Sequence, residues 1–439
     1  MKLRVFQSDK GDCLLLEAAT GELVLCDGGI GKSMKERVRA ELGQLHVQGR
    51  EIEYVYVSHV DNDHINGVLE LLGDAWNWKQ FDSGQADSEP EGPRPPVIKG
   101  VLHNGFKDQL AEVDMTLEKI TQAAAAAPAL EQPGGGVTVL AAPSTQAMSQ
   151  IVARVTDIPE SLELDRLIAP DRLNIPLNKL PRARAPRRLL YAGHPRGSFQ
   201  IGTMTFTLLG PTKRELESLK TGWINFLKEE GDALKERLDE LDNRIVAFDV
   251  NRHSESGFSS RDWHGVPAFE NVTVPNIASL MFMVEERVEG REEKKTLLLT
   301  GDGHQTFILA GLERTGFLEK GGKLHINVLK VQHHGSERNL KEDFAQRVTA
   351  DHYVFCGNGE HENPDLGVID IVFNSRQGPD DQSPFEFWFS TTPNLEEEGE
   401  TARFDYFVRV QAHVADLQEQ SGGRLTVHYN EGVGIDLPI

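Results

Sequence analysis

One stretch constrains this chain more than any other: the alternating run Tyr54-Val55-Tyr56-Val57 stops at Ser58-His59-Val60-Asp61-Asn62-Asp63-His64. Period-two alternation specifies a short strand, with Val55 and Val57 on one face. Two histidines and two carboxylates within six residues then fall where that strand ends and a helix beginning near Ile65 takes over. Such a cluster serves no ordinary packing role. Any fold must place it where side chains converge without burying charge in a core, and it reads as a dinuclear metal site.

Divalent ions are held by imidazole nitrogen and carboxylate oxygen, and a two-metal centre needs about six such groups plus a bridging one. Three further clusters offer them, each at the end of a strand-like run. Asp27-Gly28-Gly29 follows Glu22 to Cys26, Thr300-Gly301-Asp302-Gly303 closes a Leu-Leu-Leu run, and Val331-Gln332-His333-His334-Gly335-Ser336 ends the run that starts at His325.

The rest of the chain reads as strands and helices around these points. Lys2 to Gln7, Cys13 to Ala18 and Phe199 to Gly210 are strand-like, as are Ala278 to Glu285 and Lys295 to Thr300, while Ser33 to Gly43, Gln305 to Gly316 and Asn339 to Val348 read as helices. After Pro384 the expectation is more strands, an acidic loop at 396–400 and a last run from Arg424 to Tyr429. Two segments read as insertions on a single domain spanning 1–439. One covers about 107–195 and the other, about 212–270, has Leu216, Leu219, Trp223 and Leu227 at helical spacing. The helical insertion is expected to cover one face or to join a second copy as a homodimer.

A formal net charge of -22 speaks against loose, long-range attraction to nucleic acid, so a polyanionic substrate needs metal ions or a local basic patch. Arg182, Arg184, Arg187 and Arg188 lie in a stretch without acids between Arg172 and Arg196. They read either as a solvated loop or as a phosphate-binding arm. No run approaches the roughly 18 apolar residues of a membrane span. Because the start is already strand-like, a cytoplasmic protein is the expectation. Cys13, Cys26 and Cys356 have no C-x-x-C spacing, which argues against thiolate metal sites and disulfides.

In order along the chain, Gly11-Asp12, Asp27-Gly28-Gly29, Ser58-His59-x-Asp61-x-Asp63-His64, Leu209-Gly210-Pro211, Asn276-x-x-Ser279-Leu280, Leu299-Thr300-Gly301-Asp302, Lys330-Val331-Gln332-His333-His334-Gly335-Ser336 and His361-x-Asn363-Pro364 resemble the metallo-β-lactamase fold. Within it they are most similar to the metallo-β-lactamase-like domain of ComEC-type DNA-uptake competence proteins. The resemblance implies a four-layer αββα sandwich and a metal-dependent hydrolase with two divalent ions, zinc or manganese. It implies that His59 and Asp61 hold one ion, that Asp63, His64 and His333 hold the other, and that Asp302 bridges. Asp63 would also orient the attacking water, and Asp27 would fix a ligand histidine. His334, Ser336 and His361 would contact a scissile phosphate or protonate the leaving group.

Two departures matter. Asp61 stands where the family usually has a second histidine, and Asn276, a weak neutral ligand, stands where a third is usual. The first site is thereby richer in oxygen, which brings manganese in beside zinc and favours phosphodiester chemistry on nucleic acid or nucleotides. Two other classes stay open: hydrolysis of a lactone, thioester or β-lactam, and a binding or regulatory module with weak chemistry. Bland roles are also available. Asp27 serves equally in a turn, Asn276 at a strand end and His334 in a structural hydrogen bond, while His103 and His194 read more simply as loop residues.

Overall fold

The computed structural model describes residues 1–110, 157–193, 197–225, 269–270, 272–287, 290, 294–378, 381–393 and 401–439. It is built on two sheets. A six-stranded sheet runs β14-β1-β2-β3-β4-β5 and an eight-stranded one β13-β12-β11-β10-β9-β8-β7-β6. The first combines β1 (Lys2–Phe6), β2 (Leu14–Glu17), β3 (Leu23–Cys26), β4 (Ile52–Tyr56), β5 (Val101–Leu102) and β14 (Gly434–Pro438). The second combines β6 (Ser198–Ile201), β7 (Met204–Gly210), β8 (Met281–Arg287), β9 (Lys294–Leu299), β10 (Leu324–Lys330), β11 (Val348–Phe355), β12 (Phe385–Phe389) and β13 (Leu425–Tyr429).

The alternation of the strands builds the layers. Leu3, Leu14, Leu16, Val24 and Tyr56 face Phe206, Phe282, Leu297 and Val328 in an apolar layer between the sheets. The other face of the six-stranded sheet, including Val55 and Val57, is covered by α1 (Arg39–Val47), α2 (Asn62–Asp82) and α3 (Asp157–Ile168). The outer face of the eight-stranded sheet is covered by α4 (Gln305–Thr315), α5 (Glu342–Arg347), α6 (Leu366–Ser375) and α7 (Thr401–Gln420). The result is the expected αββα sandwich, a mixed α/β fold. Strands β9 to β13 are parallel, so their C-terminal ends share one edge, where open α/β sheets place ligands.

Three expectations change. The run Phe199 to Gly210 is a hairpin, β6 and β7, turning at Gly202 with φ +57. The residues expected to form a helix up to Val348 form only the short α5, and β11 starts at Val348. Where strands alone were expected after Pro384, α7 intervenes; Phe407, Val410, Val414 and Leu417 recur at helical spacing and bury against the sheet. Much of both expected insertions, and with it any dimer contact through 226–268, lies outside the described residues. What is described of them is packed down: Trp223 is buried edge-to-face on Phe106, ring centroids 4.8 Å apart. Among the described residues no helix is long and apolar enough to cross a membrane.

Candidate metal centre

The end of β4 and the start of α2 are fixed by glycine. Gly28 N–H donates to the His64 carbonyl at 2.9 Å, and Gly67 N–H donates to the Gly29 carbonyl at 2.9 Å. A Cβ on Gly67 would lie 1.9 Å from the Gly28 carbonyl oxygen. No side chain fits in that contact, so the turn after β3 sets where α2 begins and where Asp63 and His64 stand. Asp61 precedes the helix without capping it through its side chain, which leaves its carboxylate for the site.

Asp302, just past β9, is the hub. Its Oδ1 lies 3.3 Å from His64 Nε2, and its Oδ2 lies 3.8, 3.6 and 3.4 Å from Nε2 of His59, His333 and His334. His59 Nε2 is 3.4 Å from Asp61, while His334 Nε2 is 3.3 Å from Asp63. Strand ends of both sheets therefore meet in one cluster. Asp27 sits beneath it: its Oδ1 accepts from Ser58 N–H at 2.7 Å, and its Oδ2 from the Ser58 hydroxyl at 2.7 Å and from His64 Nδ1 at 2.9 Å. That bond fixes the His64 tautomer and turns Nε2 to Asp302.

The two histidines after β10 are held in an unusual backbone. His333, His334 and Gly335 have φ of 47, 56 and 87 degrees, left-handed values that cost an L-residue about 1–2 kcal/mol each. The turn swings both rings over the strand ends. His334 Nδ1 lies 2.7 Å from the Cys356 carbonyl and 3.2 Å from Asp12, and His333 Nδ1 lies 2.7 Å from Asn339 Oδ1. Because Asn339 Nδ2 donates to the Asp302 carbonyl at 2.9 Å, its Oδ1 is the acceptor and His333 Nδ1 carries the proton.

Asp12 and Lys330 complete the floor, and sequence reading gave neither a role. Lys330 Nζ pairs with Asp12, donates to the Gly301 carbonyl at 3.2 Å and lies 3.9 Å from Asp302. Both are buried. The available signal was a lysine inside the apolar run Leu329-Lys330-Val331, since a lysine in a core needs a partner. Burial opposes the charged form of His64, but Asp302 and Asp27 outweigh it and raise its pKa well above the ordinary value; Asp302 and Asp12 do the same for His334. Burial works against the Asp302 carboxylate too, and His64, His334 and His333 outweigh it and lower its pKa.

The donor set fits divalent cations. Nε2 of His59, His64 and His334, with Oδ1 of Asp302 and Asp12, are shut off from solvent without a hydrogen-bond partner. Left so, each would cost about 1–3 kcal/mol. Asp12, His64, Asp302 and His334 each offer an atom within 4.8 Å of the others. Two donors on one ion at about 2.1 Å stand roughly 3.0–3.5 Å apart, close to the separations around Asp302. Mixed imidazole and carboxylate donors suit zinc or manganese.

Not every expected residue joins this cluster. Asn276 reaches its edge, with Nδ2 3.5 Å from both ring nitrogens of His333 and Oδ1 accepting from Thr273 at 2.7 Å. Ser336 Oγ accepts from Arg338 N–H at 3.4 Å and so serves its own turn. His361 lies on an exposed rim, paired with Glu360 at 3.6 Å. The segment of Arg182, Arg184, Arg187 and Arg188 runs past β5; Arg187 N–H donates to the Asn178 carbonyl at 3.0 Å, and none of the four touches the cluster in a described contact. His103 is buried at the end of β5, with its pKa pushed down to about 4 by burial, Val57 and His59 modifying that shift.

The metallo-beta-lactamase superfamily model matches residues 9–78, the stretch that carries Asp12, Asp27, His59, Asp61, Asp63 and His64. No curated protein matches the chain. Together the match and the buried Asp/His group support a metal-dependent hydrolase.

Proposed function

We propose that the chain is a two-metal phosphodiesterase or nuclease acting on nucleic acid or nucleotides. The observation that carries this reading is the oxygen-rich half of the centre: His59 Nε2 stands between Asp61, at 3.4 Å, and Asp302, at 3.8 Å. A carboxylate there, where the resembled family usually has histidine, suits harder ions of the kind that accompany phosphate. The ordered likeness to the ComEC-type domain supports the same substrate class. In this reading His59, Asp61 and His333 would hold one ion and Asp63, His64 and His334 the other, with Asp302 shared. This departs from the assignment the resemblance implies, in which His333 joins Asp63 and His64 and His334 contacts the phosphate, because His334 Nε2 lies 3.3 Å from Asp63 and 3.4 Å from Asp302. Bound there, such ions would supply an activated water and charge stabilisation for the attacked and leaving oxygens.

The chain's own side chains do the positioning. Asp61, Asp63 and His333 have side chains 30%, 21% and 26% exposed, whereas His59, His64, His334 and Asp302 are 4% or less. Substrate therefore approaches over the first three. Asp61 and Asp63 are the two carboxylates of the centre that face solvent; Asp63, held 3.3 Å from His334 Nε2, is the one placed to orient a water. Asp27 and Asn339 keep the imidazoles in the tautomers that point Nε2 inward.

A screen of DNA, RNA, cyclic nucleotides and bis(p-nitrophenyl) phosphate against manganese and zinc tests the reading, with Asp63→Ala in parallel. Wild type should cleave at least one phosphodiester and Asp63→Ala should lose about 100-fold or more of that rate, the scale of a positioned acid or base. Failure to cleave any of these phosphodiesters with either metal would sink it.

A further inference from the structure

The loop between β1 and β2 carries a cation to the mouth of the centre. Gly11 presses on the helix that holds the metal-binding acid: a Cβ there would lie 1.9 Å from the Asp63 carbonyl oxygen. The loop is braced on every side. Ser8 Oγ donates to the Gly11 carbonyl at 2.7 Å, Asp9 pairs with Arg37 at 3.1 Å, and Gly29 N–H donates to the Asp12 carbonyl at 2.7 Å. Lys10, the residue between, is thus held in place by contacts of its neighbours that its own side chain does not supply.

Its side chain points across the rim to the turn after β11. Lys10 Nζ lies 2.8 Å from Glu360, and Arg403 of α7 reaches the other oxygen of the same carboxylate at 3.1 Å. Burial opposes the charge on Lys10, and the neighbouring Asp63 and Glu360 carboxylates outweigh it. Its side chain is 24% exposed, which places it on the rim beside Asp63, itself 21% exposed. If an anion takes up Lys10, Glu360 still has Arg403 as partner. A lysine needed only to neutralise Glu360 would duplicate that arginine.

We propose that Lys10 is the anion-binding residue of this centre, taking a non-bridging oxygen of a substrate phosphate beside Asp63, while Glu360 holds it ready in the free protein. The proposal rests on the phosphodiesterase reading for its substrate class. It answers a difficulty the sequence raises: with a net charge of -22 the global field repels a polyanion, and attraction must be local. A point-charge ammonium on a braced loop supplies it.

The test uses the manganese-loaded full chain with inorganic phosphate as probe. Lys10→Met should keep the wild-type metal content, weaken phosphate binding by calorimetry about tenfold or more, as expected for loss of a charged hydrogen bond, and raise KM for bis(p-nitrophenyl) phosphate more than it lowers kcat. Lys10→Arg should recover most of the affinity. Phosphate binding that is absent in wild type, unchanged in Lys10→Met, or lost only in step with metal overturns the proposal. Should Lys10→Met not fold, Glu360→Gln decides: it must bind phosphate at least as tightly as wild type, and weaker binding counts against Lys10. Absence of diester cleavage by wild type would defeat the phosphodiesterase reading alone, because the phosphate comparison does not depend on turnover.

Discussion

At His334 the two ring nitrogens have separate tasks. Nδ1 can only donate to the Cys356 carbonyl, 2.7 Å away, so the neutral ring keeps its Nε2 lone pair between Asp63 at 3.3 Å and Asp302 at 3.4 Å. His333 is divided in the same way by Asn339, but its Nε2 lies 3.6 Å from Asp302 and it borders Asn276. Adjacent in sequence, the two histidines would serve different halves of the proposed two-ion centre. His334→Ala should therefore remove about one ion per chain, with affinity falling by more than the roughly 10–100-fold that changes behind the ligands cost, whereas His333→Ala should spare the ion held by Asp63 and His64. Metal analysis after gel filtration, with calorimetric titration, measures both. A His334→Ala protein with wild-type metal content and only a raised KM would return this residue to the phosphate-contact role.

On α3, burial of a carboxylate makes an element sensitive to pH. Asp165 Oδ2 is closed to solvent without a hydrogen-bond partner, and burial, reinforced by the charge of Asp108, pushes its pKa from 3.8 up to about 7. The folded state then keeps a proton that the unfolded state gives up, so this contribution to stability is full below about pH 4 and is lost as pH rises through about 7. Asp165→Asn should remove its own part of the dependence, leaving that of Glu160 on the same helix, whose pKa burial pushes up to about 8. The variant should be more stable than wild type by roughly 3–4 kcal/mol or less at pH 8, with little difference near pH 4. Urea unfolding at several pH values reads this directly; a gap that does not widen with pH defeats it. Elements also differ in how plainly the sequence announces them. The strands ending in Asp27, His59, Asp302 and His333 were legible because alternation and its abrupt stop are local signals. Three features were hidden: α7 behind an acidic run, the pairing of Asp12 with Lys330 across 318 residues of chain, and the left-handed turn at His333 and His334 that decides which ring goes where.

For the whole molecule, the centre is a joint between sheets. Asp12, Asp27, His59, Asp61, Asp63 and His64 come from the six-stranded side, and Asp302, His333 and His334 from the eight-stranded side. Buried polar ties run nearby: Asn430 Nδ2 donates to the Ser390 carbonyl at 3.1 Å and the Val5 carbonyl at 3.4 Å, and Gln7 Nε2 donates to Thr391 at 3.2 Å. Without cations the same edge gathers five aspartates, which repel one another and are offset by Lys330 and by whatever protons the histidines take up. Ions that bind only the folded chain should therefore clamp the two sheets, adding about 2.7 kcal/mol at a free concentration of 100 times Kd. Calorimetric melting should show one transition covering both sheets, moving to lower temperature when the chain is stripped with a chelator and back when manganese or zinc is restored. In Asp302→Ala, which removes the hub from every imidazole, chelator should make no difference. A melting temperature indifferent to metal in wild type, or separate transitions of which only one responds, would mean that the centre does not join the sheets.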